Sequence, residues 1–260
     1  MSKAILFDST MCIGCKLCEQ ACAERNGLPY DDTIGAEAEL SEHKFTAVLT
    51  VGDKPALGGA NVFMRRLCMH CADPTCASVC PVGAFTKTAD GPVVYDEKRC
   101  MGCRYCMLAC PFQVPAYQWN QRLPIVKKCD MCADRQAQGR ATACAEACPT
   151  GATKFGDRTE LLAEAHARIR ENPGQYIDHI YGEHEVGGTS VLLLSGMPFP
   201  DFGYRMDLLH EPLPLLTWRV LRHIPDVVTL GTVLLGGIWW ITHRREEVAA
   251  AERAEKETRP

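Results

Sequence analysis

The chain has 260 residues and a formal net charge of -4, from 28 Lys and Arg against 32 Asp and Glu, and only 7% of it is aromatic. That length is enough for one or two domains with a sizeable core. The near balance of charge and the scarcity of aromatics argue against a nucleic-acid partner, which calls for a basic stripe or a stacking platform.

In chain order, "AILFD" reads as a short strand, followed by the first crowded cysteine stretch, "CIGCKLCEQAC", and a helix. "KFTAVLTVG" and "NVFMRRLC" are β-like runs around a glycine-rich turn, "GDKPALGGA", and predict an inserted hairpin. "CMHCADPTCASVCP" comes next, then "GPVVYDEKRC", which repeats the order of strand before cysteine stretch. Residues 158–171, "RTELLAEAHARIRE", are charged and alanine-rich and stop at "NPG", as a helix does. "TSVLLLSG" has the length of a buried strand. Val227 to Thr242 is an uncharged run, and the tail "EEVAAAERAEKE" reads as a solvated helix.

There are 16 cysteines, all inside four groups. Group one is Cys12, Cys15, Cys18 and Cys22; group two is Cys68, Cys71, Cys76 and Cys80; group three is Cys100, Cys103, Cys106 and Cys110; group four is Cys129, Cys132, Cys144 and Cys148. A disulfide framework scatters its cysteines through loops, so thiols two residues apart suit a shared metal better. Groups one and three have the C-x2-C-x2-C-x3-C run of bacterial [4Fe–4S] ferredoxins. Short gaps let the backbone curl around a cubane and aim amide N–H groups at its sulfurs. "CPVGA" and "CPTGA" close groups two and four as near copies, the mark of an internal duplication. Structural zinc is the alternative, and group four alone could pass for it. The even division into fours favours four [4Fe–4S] clusters.

In two-cluster ferredoxins the last cysteine of each run serves the other cluster. Groups two and three then exchange, giving set C (Cys68, Cys71, Cys76, Cys110) and set D (Cys80, Cys100, Cys103, Cys106). Groups one and four exchange across the chain, giving set A (Cys12, Cys15, Cys18, Cys148) and set B (Cys22, Cys129, Cys132, Cys144).

Together with "RRLCMHC", "CPVGAF", "GPVVYDEKRCMGCRYCMLACPF" and "KKCDMC", these groups make residues 4–155 resemble the iron–sulfur β subunits of membrane redox enzymes. That family includes respiratory formate dehydrogenase, type-2 nickel–iron hydrogenase and the reductases for dimethyl sulfoxide, polysulfide and nitrite. In nitrate reductase β subunits a tryptophan commonly replaces a group-three cysteine; group three here keeps all four, which sets that branch aside. "YGEHEVGGTSVLLLSG", Tyr181 to Gly196, looks like the formate dehydrogenase and hydrogenase branch. The resemblance implies an α+β fold of duplicated 2[4Fe–4S] ferredoxin-like domains with an inserted hairpin and a C-terminal transmembrane helix. It also implies two protein partners: a catalytic large subunit holding molybdopterin or nickel–iron, and a membrane cytochrome b or other quinone-reactive subunit. Formate dehydrogenase is the first choice of catalytic partner, with type-2 nickel–iron hydrogenase or another molybdopterin oxidoreductase as the alternative.

The expected layout is a four-cluster domain over 1–157 (insertion about 26–66), a docking segment over 158–223, a membrane helix over 224–242 and a charged tail over 243–260. The sixteen residues of the uncharged run span about 24 Å, just short of a hydrocarbon core of about 30 Å, so flanking residues complete the crossing. Trp239 and Trp240 stand where an aromatic belt forms. Arg244, Arg245, Arg253, Lys256 and Arg259 follow the run, against Arg219 and Arg222 before it. The positive-inside rule then puts the tail in the cytoplasm and the cluster domain in the periplasm of an inner-membrane protein. The start has neither an apolar signal region nor a twin arginine, so export with a signal-bearing partner is expected. No nucleophile elbow, P-loop or dinucleotide fingerprint is visible, so the chain is expected to be non-catalytic. A free polyferredoxin shuttle is the alternative from another class. His70 is expected beside a cluster or on the surface with Asp73 nearby, and Lys127 and Lys128 either raise a cluster potential or lie in a solvated loop.

Overall fold

Five of the six residues of the first strand, β1 (Lys3–Asp8), are buried, because both of its faces are covered. The computed structural model describes residues 2–51 and 61–257. In chain order β1 is followed by α1 (Leu17–Asn26), α2 (Asp32–Ala36), β2 (Thr46–Val51), β3 (Val62–Leu67), α3 (Thr75–Ser78), β4 (Phe85–Lys87) and β5 (Val93–Tyr95). Then come α4 (Tyr105–Ala109), β6 (Ala116–Tyr117), β7 (Val126–Lys127), α5 (Ala133–Ala137), α6 (Ala143–Glu146), β8 (Thr153–Asp157) and α7 (Arg158–Glu171). β9 (Val191–Leu194), α8 (Leu213–Leu221) and α9 (Ile224–Glu257) complete the order. The chain is an α+β mixture in two compact units, Met1–Pro214 and Leu215–Pro260.

β1 is the middle strand of a three-stranded sheet in the order β8-β1-β9. It runs antiparallel to β8, with Lys3 opposite Asp157 and Phe7 opposite Thr153, and parallel to β9, with Ile5 opposite Val191 and Asp8 opposite Leu194. Strand alternation sends the two sets of side chains to opposite faces. Ala4 and Leu6 join Leu192 and Leu194 against Leu161 and Ala165 of α7. Ile5 and Phe7 join Val191 and Leu193 on the other face, with Met64, Leu67, Met131 and Cys144. Each such apolar side chain withdrawn from water contributes about 1.5–3 kcal/mol. The sheet therefore fuses residues near 5, 65, 131 and 193 into one core. The segment drawn from sequence as 158–223 supplies α7 and β9 to this same unit.

The inserted hairpin is present: β2 and β3 are antiparallel from Thr46 opposite Leu67 to Val51 opposite Val62. Its turn, 52–60, lies outside the described residues. A buried ion pair pins it to the first cysteine helix, with Lys44 Nζ 3.0 Å from Glu19 Oε2 and both side chains almost wholly enclosed. Tyr30 Oη and the Val48 amide also donate to the Glu19 carboxylate. The middle of the unit is two small antiparallel ribbons, β4–β5 and β6–β7. They bury Phe85, Val93 and Val126 around Cys106.

Helical residues Leu213–Ala254 include an eighteen-residue window of mean hydropathy 1.6 with none of it buried. This is one C-terminal helical segment long and apolar enough to cross a bilayer. Val227, Leu230, Val233, Leu234 and Trp239 are each more than 60% exposed. An apolar surface that wide needs a non-aqueous environment or a partner.

Candidate metal centres

The four C-x2-C stretches share one backbone feature. The residue just before the second cysteine is left-handed in every case: Gly14 at φ 70°, His70 at 50°, Gly102 at 73° and Met131 at 57°. Only glycine enters this region at no steric cost, so His70 and Met131 hold it against a penalty. At Gly14 glycine is also required for space, since a Cβ there would stand 2.3 Å from the Phe63 ring of the hairpin. The residue three places after the last cysteine repeats the device in three groups: Gly83, Gln113 and Gly151 all have positive φ. Turns of this kind point successive amides inward, as anion-binding nests do. Amides approach sulfur at Gly102 N to Cys100 Sγ (3.4 Å), Met131 N to Cys129 Sγ (3.3 Å), Ala84 N to Cys80 Sγ (3.2 Å) and Thr153 N to Cys148 Sγ (3.4 Å).

The fold brings together cysteines that are far apart in sequence. Cys22, Cys129, Cys132 and Cys144 line one cavity, which also touches Arg65. Cys68, Cys71, Cys76 and Cys110 line a second, together with His70 and Lys128. Burial, followed by the facing thiols of Cys148 and Cys15, raises Cys12 against an opposing Gly14 amide. Cys106 is pushed up to about 11 by burial and then by Cys100 and Cys103, with Cys80 also acting on it. Burial dominates again at Cys22, held at about 12, and at Cys76, also about 12. Cys148 departs from the pattern. Burial pushes it up, but amides from Thr153, Thr150 and Ala152 and the Thr150 hydroxyl bring it below the ordinary thiol value.

Thiols of different groups also lie close enough to act on one another electrostatically. Cys18 feels Cys144, Cys129 feels Cys68, and Cys76 feels Cys106. Arg25 of α1 reinforces the first of these junctions. It donates to both Asp130 carboxylate oxygens at 2.7 Å and also reaches Asp134, tying the group-one helix to the group-four loop. A bidentate pair of this kind fixes orientation as well as distance.

The residues present fit iron–sulfur clusters. Among the described residues, no three His, Cys, Asp or Glu side chains converge closely enough for a single ion, as the zinc alternative for group four requires. A four-iron cubane stands its sulfurs farther apart than one zinc does, and the two cavities each have four cysteines in their walls. His70 gives a second indication. Its ring is fully buried, Nδ1 accepts from Val93 N at 2.8 Å, and Nε2 has no partner among the described residues. With Nδ1 accepting, the proton is on Nε2, and that donor belongs to a side chain in the wall of the Cys68 cavity.

His70 is not a surface residue, which corrects half of its sequence expectation. Burial, then Lys128 and Lys87, holds its pKa well below the usual value. Lys128 is buried and donates to Val93 O and to Cys129 O at 2.8 Å, whereas Lys127 is half-exposed and pairs with Glu97 at 3.1 Å. The solvated-loop expectation therefore fails for Lys128. Asp73 remains partly exposed.

The "GGTS" stretch has a structural role beside these ligands. Ala72 N donates to Gly188 O at 2.9 Å, and Ser190 N donates to Met69 O at 3.2 Å and His70 O at 3.1 Å. It thus backs the group-two loop. Sequence reasoning missed Arg65, Lys87 and Thr46. A charged residue inside an apolar strand run, "NVFMRRLC", was the available signal for Arg65.

Residues 60–158 match the model of a 4Fe-4S dicluster domain. A protein of Nitratidesulfovibrio vulgaris is 45% identical over 261 residues, covering 98% of this chain and 70% of that one. The hydrogenase-2 operon protein HybA of Escherichia coli O157:H7 is 37% identical over 77% of this chain and 72% of its own length. The iron-sulfur subunit of the nitrate-inducible formate dehydrogenase of Escherichia coli K12 is 36% identical over 73% of this chain and 66% of its own length.

Proposed function

This chain belongs to the family of iron–sulfur electron-transfer subunits that those hydrogenase-2 and formate dehydrogenase relatives represent, and from that premise we propose that it holds four [4Fe–4S] clusters in a row. The two cavities walled by four cysteines each, drawn from distant groups, carry this reading. Set A is Cys12, Cys15, Cys18 and Cys148; set B is Cys22, Cys129, Cys132 and Cys144; set C is Cys68, Cys71, Cys76 and Cys110; set D is Cys80, Cys100, Cys103 and Cys106. The cysteine-lined cavities support B and C, and thiol neighbours support A and D. In this reading the cluster unit is a duplicated pair of dicluster modules. The four matching left-handed positions support duplication.

Bound clusters supply one-electron carriers. The chain's own residues hold them in the order A, B, C, D, direct amide N–H groups at the sulfurs and keep water out. The relay joins a catalytic large subunit, with a molybdopterin or nickel–iron centre, to a membrane cytochrome b or other quinone-reactive subunit. We take formate dehydrogenase as the catalytic partner. Hydrogenase is the second reading, favoured by the 236 residues aligned with the hydrogenase-2 protein against 200 with the formate dehydrogenase subunit. Residues 224–242 cross the inner membrane once, and the basic residues after them keep the tail cytoplasmic and the cluster unit periplasmic.

Iron and acid-labile sulfide assays on anaerobically purified full-length protein test this reading. Four cubanes per chain are expected, and far fewer would overturn it. A metal assay of the co-purifying large subunit separates molybdenum or tungsten from nickel. Extraction by salt alone would point instead to the soluble shuttle.

A further inference from the structure

Arg65, in β3 of the inserted hairpin, is the largest fully buried side chain among the described residues, at 1% exposure. Nε donates to Thr46 Oγ1 at 2.9 Å and Nη1 to Thr153 Oγ1 at 3.3 Å, so β2 and β8 fix the guanidinium from two sides. Among the described residues it has no carboxylate partner. A permanently charged group enclosed without a counter-charge is strongly unfavourable, so the negative charge must come from whatever else faces it. It lines one cavity with Cys22, Cys129, Cys132 and Cys144, where the Asp130 carboxylate is already taken up by Arg25. Burial alone would lower its pKa, yet Cys144, Cys18 and Cys22 hold it above the usual arginine value. Cys12 feels the same positive charge. Cys12 and Cys18 belong to set A, and Cys22 and Cys144 to set B.

Resting on the four-cluster reading, we propose that Arg65 is a fixed cation shared by the clusters of sets A and B, raising the reduction potential of both. The hairpin between groups one and two then does more than fill space: it delivers this charge to the junction of two carriers. An electron arriving at either cluster adds negative charge beside a cation that cannot move or lose its proton, and reduction becomes easier. Arg65 is a positioning residue in this sense; it holds no iron.

The test is a dithionite titration of the full-length holoprotein followed by EPR, comparing wild type with Arg65→Met and Arg65→Lys. In Arg65→Met two of the four clusters should become harder to reduce by at least tenfold, a fall of 59 mV for one electron, while the other two stay put. Arg65→Lys should recover most of that shift. Four loaded clusters with unchanged potentials in Arg65→Met would overturn the inference. If Arg65→Met fails to retain iron, retention by Arg65→Lys supports the charge role, and loss from both overturns it. Wild-type iron is measured first. Fewer than four cubanes there would defeat the four-cluster reading and this inference together, whereas four with unshifted variants defeats this inference alone.

Discussion

The half that carries cysteine groups one and four (A/B in the proposed assignment) and the half that carries groups two and three (C/D) share a cysteine-loop feature and differ in what surrounds it. In both, the residue before the second cysteine is left-handed. Around groups one and four the buried cation is an arginine brought in by the hairpin, and Cys22 shares a cavity with Cys129, Cys132 and Cys144 across more than a hundred residues of chain. Around groups two and three the cations are the buried Lys128 and the half-buried Lys87, with the neutral His70 beside them, and the two groups are sequence neighbours. Lys128 bonds to carbonyls of Val93 and Cys129, and Lys87 to carbonyls of His70 and Gly91. The loop is thus separable from its setting. Backbone conformation can be duplicated with the sequence, while charge and closure differ from one half to the other.

Removing one exchanged ligand from each half gives the largest contrast. Cys148→Ala and Cys110→Ala should each lose about a quarter of the iron if the four sets are right. Cys148 closes a loop back to group one of about 130 residues, whereas Cys110 closes one of only about 35 to group two. With the second exchanged ligand of each half also replaced, Cys22→Ala in the first and Cys80→Ala in the second, loop-closure entropy makes the first loss about 1 kcal/mol the greater in unfolding free energy. Equal denaturation midpoints for the two double variants would erase the contrast.

Glu19→Gln tests the attachment of the hairpin. It strands the enclosed Lys44 ammonium, and breaking a buried ion pair in this way costs about 3 kcal/mol or more. Iron should then leave the A and B sets at lower denaturant than the C and D sets. This is read from two separated steps of cluster absorbance, where wild type shows closer ones. A single unshifted step would mean that the hairpin does not support the A/B half.

Lys128→Met should have the smallest effect. It removes a cation from the wall of the Cys68 cavity, which also feels Lys87, so one cluster becomes harder to reduce by less than about tenfold. The A potential should not move. A shift of A equal to that of C would show that the halves are not electrostatically separate.

Cysteine number and spacing, the β1 run, the hairpin, the 158–171 helix and the apolar C-terminal run were legible in the sequence, because each rests on local chemistry. A C-x2-C gap sets how far two sulfurs can stand apart, and an uncharged run of that length has few other homes. The enclosure of His70 and Lys128, the shared position of Arg65 and the backing of the group-two loop by "GGTS" were decided by tertiary structure. Burial and charge pairing arise between segments that share no local pattern. "NVFMRRLC" carries two arginines side by side, and nothing in that string says that Arg65 is enclosed among thiols while Arg66 stays partly open. That outcome required β3 to pair with β2 and both to pack against the sheet of β1. Packing then set which charge lost its water and which sulfurs took the water's place.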